Sequence, residues 1–229
     1  MNRAVPSLLA IALVLSACTA PPAATPSPAW TETATPPAST ATITPTGSSS
    51  ALPPIPTVVL SDADGLLAEI LTRGSIVIST DPDYQPQSFR NPAGQRPDDT
   101  RCASDQLTGP ELQGFDIDVS LQIGLRLGVE PCFVTPSFLA VEAGNWGNMW
   151  DISVGSMRIT PARMKVLAFT SPYYYEDGAI PLGIAIDHGH TLSIGSLVAA
   201  LNQVVEHMHN DGTLAGLSIK WFGKDLSAK

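Results

Sequence analysis

From Thr19 to Thr57 the chain has almost nothing to bury, and this limits what the whole can fold into. Those 39 residues hold 10 Pro, 10 Thr, 8 Ala and 5 Ser, with no Lys or Arg. Too little apolar surface is present to offset the entropy of ordering the backbone. Prolines and threonines in this density favour an extended, solvated spacer, rising about 3 Å per residue where it is polyproline-like. The expectation is a disordered stalk over residues 18–57. Folding is left to the 172 residues from Val58 to Lys229, enough for one domain with a real core. The formal net charge of −9 argues against nucleic acid as a partner and against a polybasic membrane patch.

The start of the chain reads as an address. Arg3 is followed by an unbroken apolar run from Leu8 to Leu15, which is too short to span a bilayer and suits a signal peptide over residues 1–17. The run ends in Leu15-Ser16-Ala17-Cys18, which resembles the lipobox of bacterial lipoproteins. The resemblance implies cleavage before Cys18 and a lipid on its sulfur. The protein would then be exported and held on the outer face of the bacterial cytoplasmic membrane. With Cys18 lipidated, Cys102 and Cys132 remain, and two cysteines in an oxidising compartment are expected to pair.

Between Val58 and Lys229 short apolar runs alternate with helical stripes. Leu66, Leu67, Ile70 and Leu71 form a helix face ended by Gly74, and Ile76 to Ser79 reads as a buried strand. Gln85 to Gln113 is a long polar loop. A helix opens at Phe115-Asp116, with Ile117, Leu121 and Leu125 as its expected inner face. Cys132 to Val134 and Asp151 to Val154 read as strands, with a loop carrying Phe138, Trp146 and Trp150 between them. Gly155-Ser156-Met157 is expected to turn out of the second strand, and Thr160-Pro161 to start a helix. Val166 to Phe169 and Ile180 to Ile186 are further strands. Leu197, Leu201, Val204, Val205 and Met208 mark a late helix, and Thr213 is expected to cap a last one. The alternation gives an α/β class with a mainly parallel sheet.

Ligands in open α/β sheets sit at the carboxyl ends of strands. Two loops there carry suitable chemistry. Thr80 to Tyr84 offers a carboxylate and an aromatic face; Gly155 to Arg163 offers backbone N–H groups, a hydroxyl and two arginines. One suits an ammonium group and the other a carboxylate, as on a free amino acid. Thr80-Asp81-Pro82-Asp83-Tyr84, Gly114-Phe115-Asp116-Ile117-Asp118, the run from Asp151 to Pro172-Tyr173-Tyr174, and Gly183-Ile184-Ala185 with the stretch to Gly223 resemble the periplasmic amino-acid-binding proteins of polar amino-acid ABC transporters. The resemblance implies one lobe of a type 2 periplasmic-binding-protein fold, a three-layer α/β sandwich. It also implies a free amino acid as ligand, an ABC permease as membrane partner, and no cofactor. Tyr84 would stack on the ligand, Phe138 would face it, and Asp81 would lie near its amino or side-chain end. Gly155 and Ser156 would bind its amino and carboxylate groups, with Arg163 as the carboxylate's bidentate partner.

Two departures from the family pattern stand out. Arg158 replaces a hydroxyl residue, and it could favour an acidic ligand, pair with Asp81 or Asp83, or face solvent. In the family a second lobe of roughly 100 residues follows the Pro-Tyr-Tyr strand; here only Glu176 to Pro181 separate Tyr175 from Leu182. The expectation is a single lobe closed by an Asp177-Gly178 turn. Metal binding is not expected: His207 and His209 diverge on a helix, and His188 and His190 lie in a loop without nearby cysteine. Asp116 and Asp118 are explained by the helix dipole, and Trp146 and Trp150 by packing. The competing functions are a one-lobed interaction or sensor module and an enzyme. Neither a cofactor loop nor an isolated catalytic Glu supports the latter, so the chain is expected not to be an enzyme.

Overall fold

Glycines and apolar periodicity set most of the element boundaries. The computed structural model describes Val58, Leu60 and residues 62–228; the leader, Cys18 and the stalk lie outside the described residues. Helix α1 (Gly65–Arg73) buries Leu66, Leu67 and Ile70 and ends at Gly74, whose φ of 70° lets its N–H reach the Ile70 carbonyl. Strand β1 (Ser75–Ser79) follows, buried at every position. After β2 (Asp83–Tyr84), the segment expected as a long loop, Gln85 to Gln113, carries the short strands β3 (Ser88–Arg90), β4 (Leu107–Thr108) and β5 (Leu112–Gln113). The Cys102–Cys132 disulfide ties it to β6 (Glu130–Val134), with Cα atoms 5.2 Å apart. Arg96 also pins it, donating to the carbonyls of Gln106, Cys102 and Ala103.

Helix α2 (Phe115–Leu127) begins at Gly114, where φ is 133° and a Cβ would sit 2.3 Å from the Gln87 carbonyl oxygen, so only glycine fits. Its inner face is Phe115, Ile117, Val119, Ile123 and Leu127; Leu121 and Leu125 are exposed, contrary to the stripe expected from sequence. Phe138 lies on a short helix, α3 (Phe138–Glu142), capped by the Ser137 hydroxyl, and not on a plain loop. Strand β7 (Ile152–Arg158) runs on through Gly155-Ser156-Met157, where a turn was expected. Thr160-Pro161 opens only a single 3₁₀ turn, Arg163–Lys165, because β8 (Leu167–Phe169) starts two residues later. Strands β9 (Tyr174–Glu176) and β10 (Ile180–Asp187) form a hairpin, and α4 (Gly195–Asn210) and α5 (Thr213–Phe222) close the chain. Thr213 is the first residue of α5; its cap is Gly212.

Among the described residues the main sheet has the order β4-β6-β1-β7-β10-β8, with β9 also paired to β10. Its centre is parallel, β1 pairing with β6 and β7; β10 runs antiparallel to β7, β8 and β9, and β4 antiparallel to β6. All but β4 and β10 therefore point one way, a mixed α/β sheet that is mainly parallel. Strand alternation sends Ile76, Ile78, Leu182, Ile184 and Ile186 into one large apolar cluster with α1, α2, α4 and α5. Val77 and Ala185 point to the opposite face, into a smaller cluster with Val141, Trp146 and Trp150. Both faces are thus covered, as a sheet with a parallel centre requires. In the β9–β10 hairpin, Glu176 pairs with Ile180 and Tyr174 with Leu182. Asp177 (φ 50°) and Gly178 (φ 70°) supply the two left-handed residues that a tight hairpin turn needs.

Candidate ligand-binding site

Asp81, Tyr84, Phe138, Gly155, Ser156, Arg158 and Arg163 come from four separate stretches of sequence, and they line one cavity of about 340 Å³. Glu176 is the eighth lining residue. The cavity lies where β1 and β6 end and where β7 outruns β1: Ser153 is the last β7 residue in register with β1, so Gly155 to Arg158 project beyond it. The first loop is held from below. The Ser88 hydroxyl donates to the Asp81 carbonyl, Thr80 Oγ1 lies 3.0 Å from Ser88 Oγ, and the Thr80 N–H donates to Val134 O.

Arg163 is fixed on three sides. Its Nε donates to Glu142 Oε1 at 2.9 Å, its Nη2 lies 2.9 Å from the same oxygen, and its Nη1 donates to the Arg158 carbonyl at 2.9 Å. The Phe138 ring stacks against the guanidinium, 5.3 Å from ring centroid to Cζ. Helix α3 thus presents both the ring and, one turn on, the carboxylate that orient the arginine. Two of its five N–H donors are hydrogen-bonded, one on Nε and one on Nη1, leaving at least one on each Nη.

Arg158 stays more than half exposed to solvent, one of the three courses open to it from sequence, and there it pairs with a carboxylate other than Asp81 or Asp83. Its Nε donates to Glu176 Oε2 at 2.5 Å, across the sheet from β7 to β9. Hydrogen bonding to the guanidinium holds the Glu176 carboxyl below the usual range. Asp81 keeps its carboxylate at the cavity edge, where Oδ1 accepts the Asp83 N–H at 3.0 Å. Partial burial, then the nearby Glu176 and Asp116 carboxylates, push the Tyr84 hydroxyl above its ordinary value.

Ser156 faces two ways. It lines the cavity, yet its N–H donates to Tyr173 Oη at 3.0 Å and its hydroxyl to Asp116 Oδ2 at 2.8 Å. Tyr173 Oη in turn donates to Asp116 Oδ1 at 2.7 Å. Both polar groups of Ser156 are therefore engaged in the core. Its φ of 52° is a left-handed conformation that costs a non-glycine residue about 1 kcal/mol or more, and the buried network holds it there. Asp116 is fully buried with no cation beside it among the described residues, and desolvation pushes its carboxyl up to about 7 against the pull of the two hydrogen bonds.

Sequence reasoning missed Glu142, Glu176, Asp116 and Tyr173 as parts of this arrangement. Asp116 was visible as a first-turn carboxylate, and its burial depends on the packing of α2 against β7. Its near neighbour Asp118 behaves differently, accepting from Lys220 Nζ and Trp221 Nε1 at the surface.

Fold and cavity together define one α/β lobe with a ligand-sized cavity at the carboxyl ends of its central strands. The model for bacterial extracellular solute-binding proteins, family 3, matches residues 76–224, and the chain belongs to that family. A probable amino-acid ABC transporter-binding protein of Haemophilus influenzae is 26% identical over 106 residues, 46% of this chain and 35% of that relative. The chain matches only 28% to 35% of the length of three such curated relatives. Among solved structures, a point mutant of the arginine-bound form of domain 1 from TmArgBP is 26% identical with a TM-score of 0.50; the match takes in 63% of this chain and 98% of that one. An ancestral cyclohexadienyl dehydratase shares the fold at 18% identity and a TM-score of 0.56, over 70% of this chain and 98% of that one. The fold alone therefore does not separate binding from catalysis. Among the described residues no helix is long and apolar enough to cross a membrane.

Proposed function

We propose that the chain binds a free amino acid for an ABC import system, without catalysis, and does so with a single lobe. The observation that carries this reading is the convergence of Asp81, Tyr84, Phe138, Gly155, Ser156, Arg158 and Arg163 on one cavity. The remaining N–H of each Nη of Arg163 forms a donor pair that suits a carboxylate end-on. Glu142, Phe138 and the Arg158 carbonyl hold that pair in place before the ligand arrives, which reduces the entropy lost on binding. Tyr84 offers a ring face to the ligand side chain and Asp81 a carboxylate to its cationic end. Ser156 contributes shape more than donors, since its N–H and hydroxyl are used inside. The β9–β10 hairpin takes the place of the chain that would otherwise build a second lobe. The related TmArgBP domain 1 is described in an arginine-bound form, which supports ligand binding by one lobe. Cys18 would carry the lipid anchor and the Thr/Pro-rich stalk would hold the domain away from the membrane.

Calorimetric titration of the purified protein with each of the twenty amino acids tests the reading. At least one should bind saturably, and Arg163→Ala should weaken that binding by about tenfold or more, the loss expected from a charge-assisted pair. Binding by none of the twenty sinks the proposal.

A further inference from the structure

The cavity contains two arginines, and on composition alone they would suit an acidic ligand. Their partners reverse that expectation. Arg163 is compensated by Glu142, with both Nε and Nη2 at 2.9 Å from one carboxylate oxygen. Arg158 is compensated by Glu176. Each arginine thus brings its own carboxylate, and neither offers an unbalanced positive charge. Asp81 is different: its oxygen takes a backbone N–H from Asp83, and it forms no ion pair among the described residues. The cavity lining with Glu142 behind it therefore carries one excess negative charge, at Asp81.

We infer that the pocket selects an amino acid with a cationic side chain, a deepening that rests on the ligand-binding reading above. A zwitterion with a neutral side chain brings no net charge, so the cavity keeps its one excess negative charge. An acidic ligand adds negative charge to a cavity that already holds an excess one, beside the Glu142 and Glu176 carboxylates. A guanidinium or ammonium side chain cancels the excess. Ring chemistry agrees. The face of Phe138 is already taken by Arg163, whereas Tyr84 is exposed beside Asp81 and has no cation over its ring among the described residues. A cationic side chain can lie on the Tyr84 face while its charged end meets Asp81. The site stays partly open to water, so the preference is moderate, about tenfold for a cationic over a neutral side chain of similar length.

The test is a titration of the protein with arginine, lysine, glutamine and glutamate in one buffer at neutral pH. The expected order is arginine and lysine tightest, glutamine about tenfold weaker, and glutamate weakest. Asp81→Asn should bring arginine and glutamine to within about twofold of each other. Glu176→Gln should free Arg158 and improve glutamate at least several-fold, an independent variant at the other side of the cavity. Glutamine or glutamate binding as tightly as arginine overturns the inference and leaves the amino-acid reading standing. Unchanged arginine preference in Asp81→Asn overturns it too. No binding of any amino acid overturns the underlying reading and this inference with it.

Discussion

At the residue scale, the most consequential side chain is one the ligand would not touch. Asp116 sits in the core at the start of α2, and its two hydrogen bonds hold Ser156 in a left-handed conformation within the cavity wall. Burial raises its carboxyl to about 7, above the value of about 4 it has in an unfolded chain. The folded protein therefore holds this proton more tightly than the unfolded one. The resulting stabilisation is complete below about pH 4 and is lost as pH rises through about 7, by up to about 4 kcal/mol. Asp116→Asn should remove that slope, so the difference in unfolding free energy between wild type and variant should change across this window. Equal pH dependence in the two proteins, measured by denaturant unfolding from pH 4 to 8, would show that Asp116 ionises as if exposed. Residue identity was readable here; burial was not, because nothing in Gly114-Phe115-Asp116 says which carboxylate turns inward and which, like Asp118, meets Lys220.

Elements were most legible where glycine stops a helix or β-branched residues mark a strand, as at Gly74 and Ile76 to Ile78. They were least legible where two apolar patterns overlap. Helix α2 carries Leu121 and Leu125 beside Val119, Ile123 and Leu127, and periodicity cannot choose between stripes one-half turn apart. Packing against β6 and β7 chooses the second. The same limit hid the two carboxylates that neutralise the arginines. Glu142 needs α3 to exist, and Glu176 needs the register of β9 on β10, neither of which local sequence fixes. The cysteine pair needed only an oxidising compartment to be anticipated. It ties the segment between β3 and β4 to the sheet, and replacing both Cys102 and Cys132 with Ser should lower unfolding stability by about 2–4 kcal/mol. A change below about 0.5 kcal/mol in denaturant midpoint analysis would mean that Arg96 and its carbonyl partners hold the segment unaided.

For the whole molecule, one lobe means one wall of a cleft. An enclosed pocket covers about 70–90% of a small ligand's surface, and an open half leaves much of that in water. Loss of about 3–4 kcal/mol is two to three decades of affinity, which moves a micromolar site to about the millimolar range. Retention at a membrane surface through Cys18, as proposed above, would offset weak affinity by keeping the lobe near a permease. Cys18→Ser should release the mature protein from membranes, and a variant that still sediments with them in high salt would remove the anchor from the account. The central claim is that an amino acid occupies the cavity at the ends of β1, β6 and β7. Its most direct test is a ¹H–¹⁵N NMR titration of the protein with arginine. The account predicts saturable shifts at the amides of Asp81, Asp83, Tyr84, Phe138 and Gly155 to Arg158, with one dissociation constant of about 1 mM. Shifts centred elsewhere on the domain, or none up to tens of millimolar ligand (roughly tenfold above that constant), would contradict it.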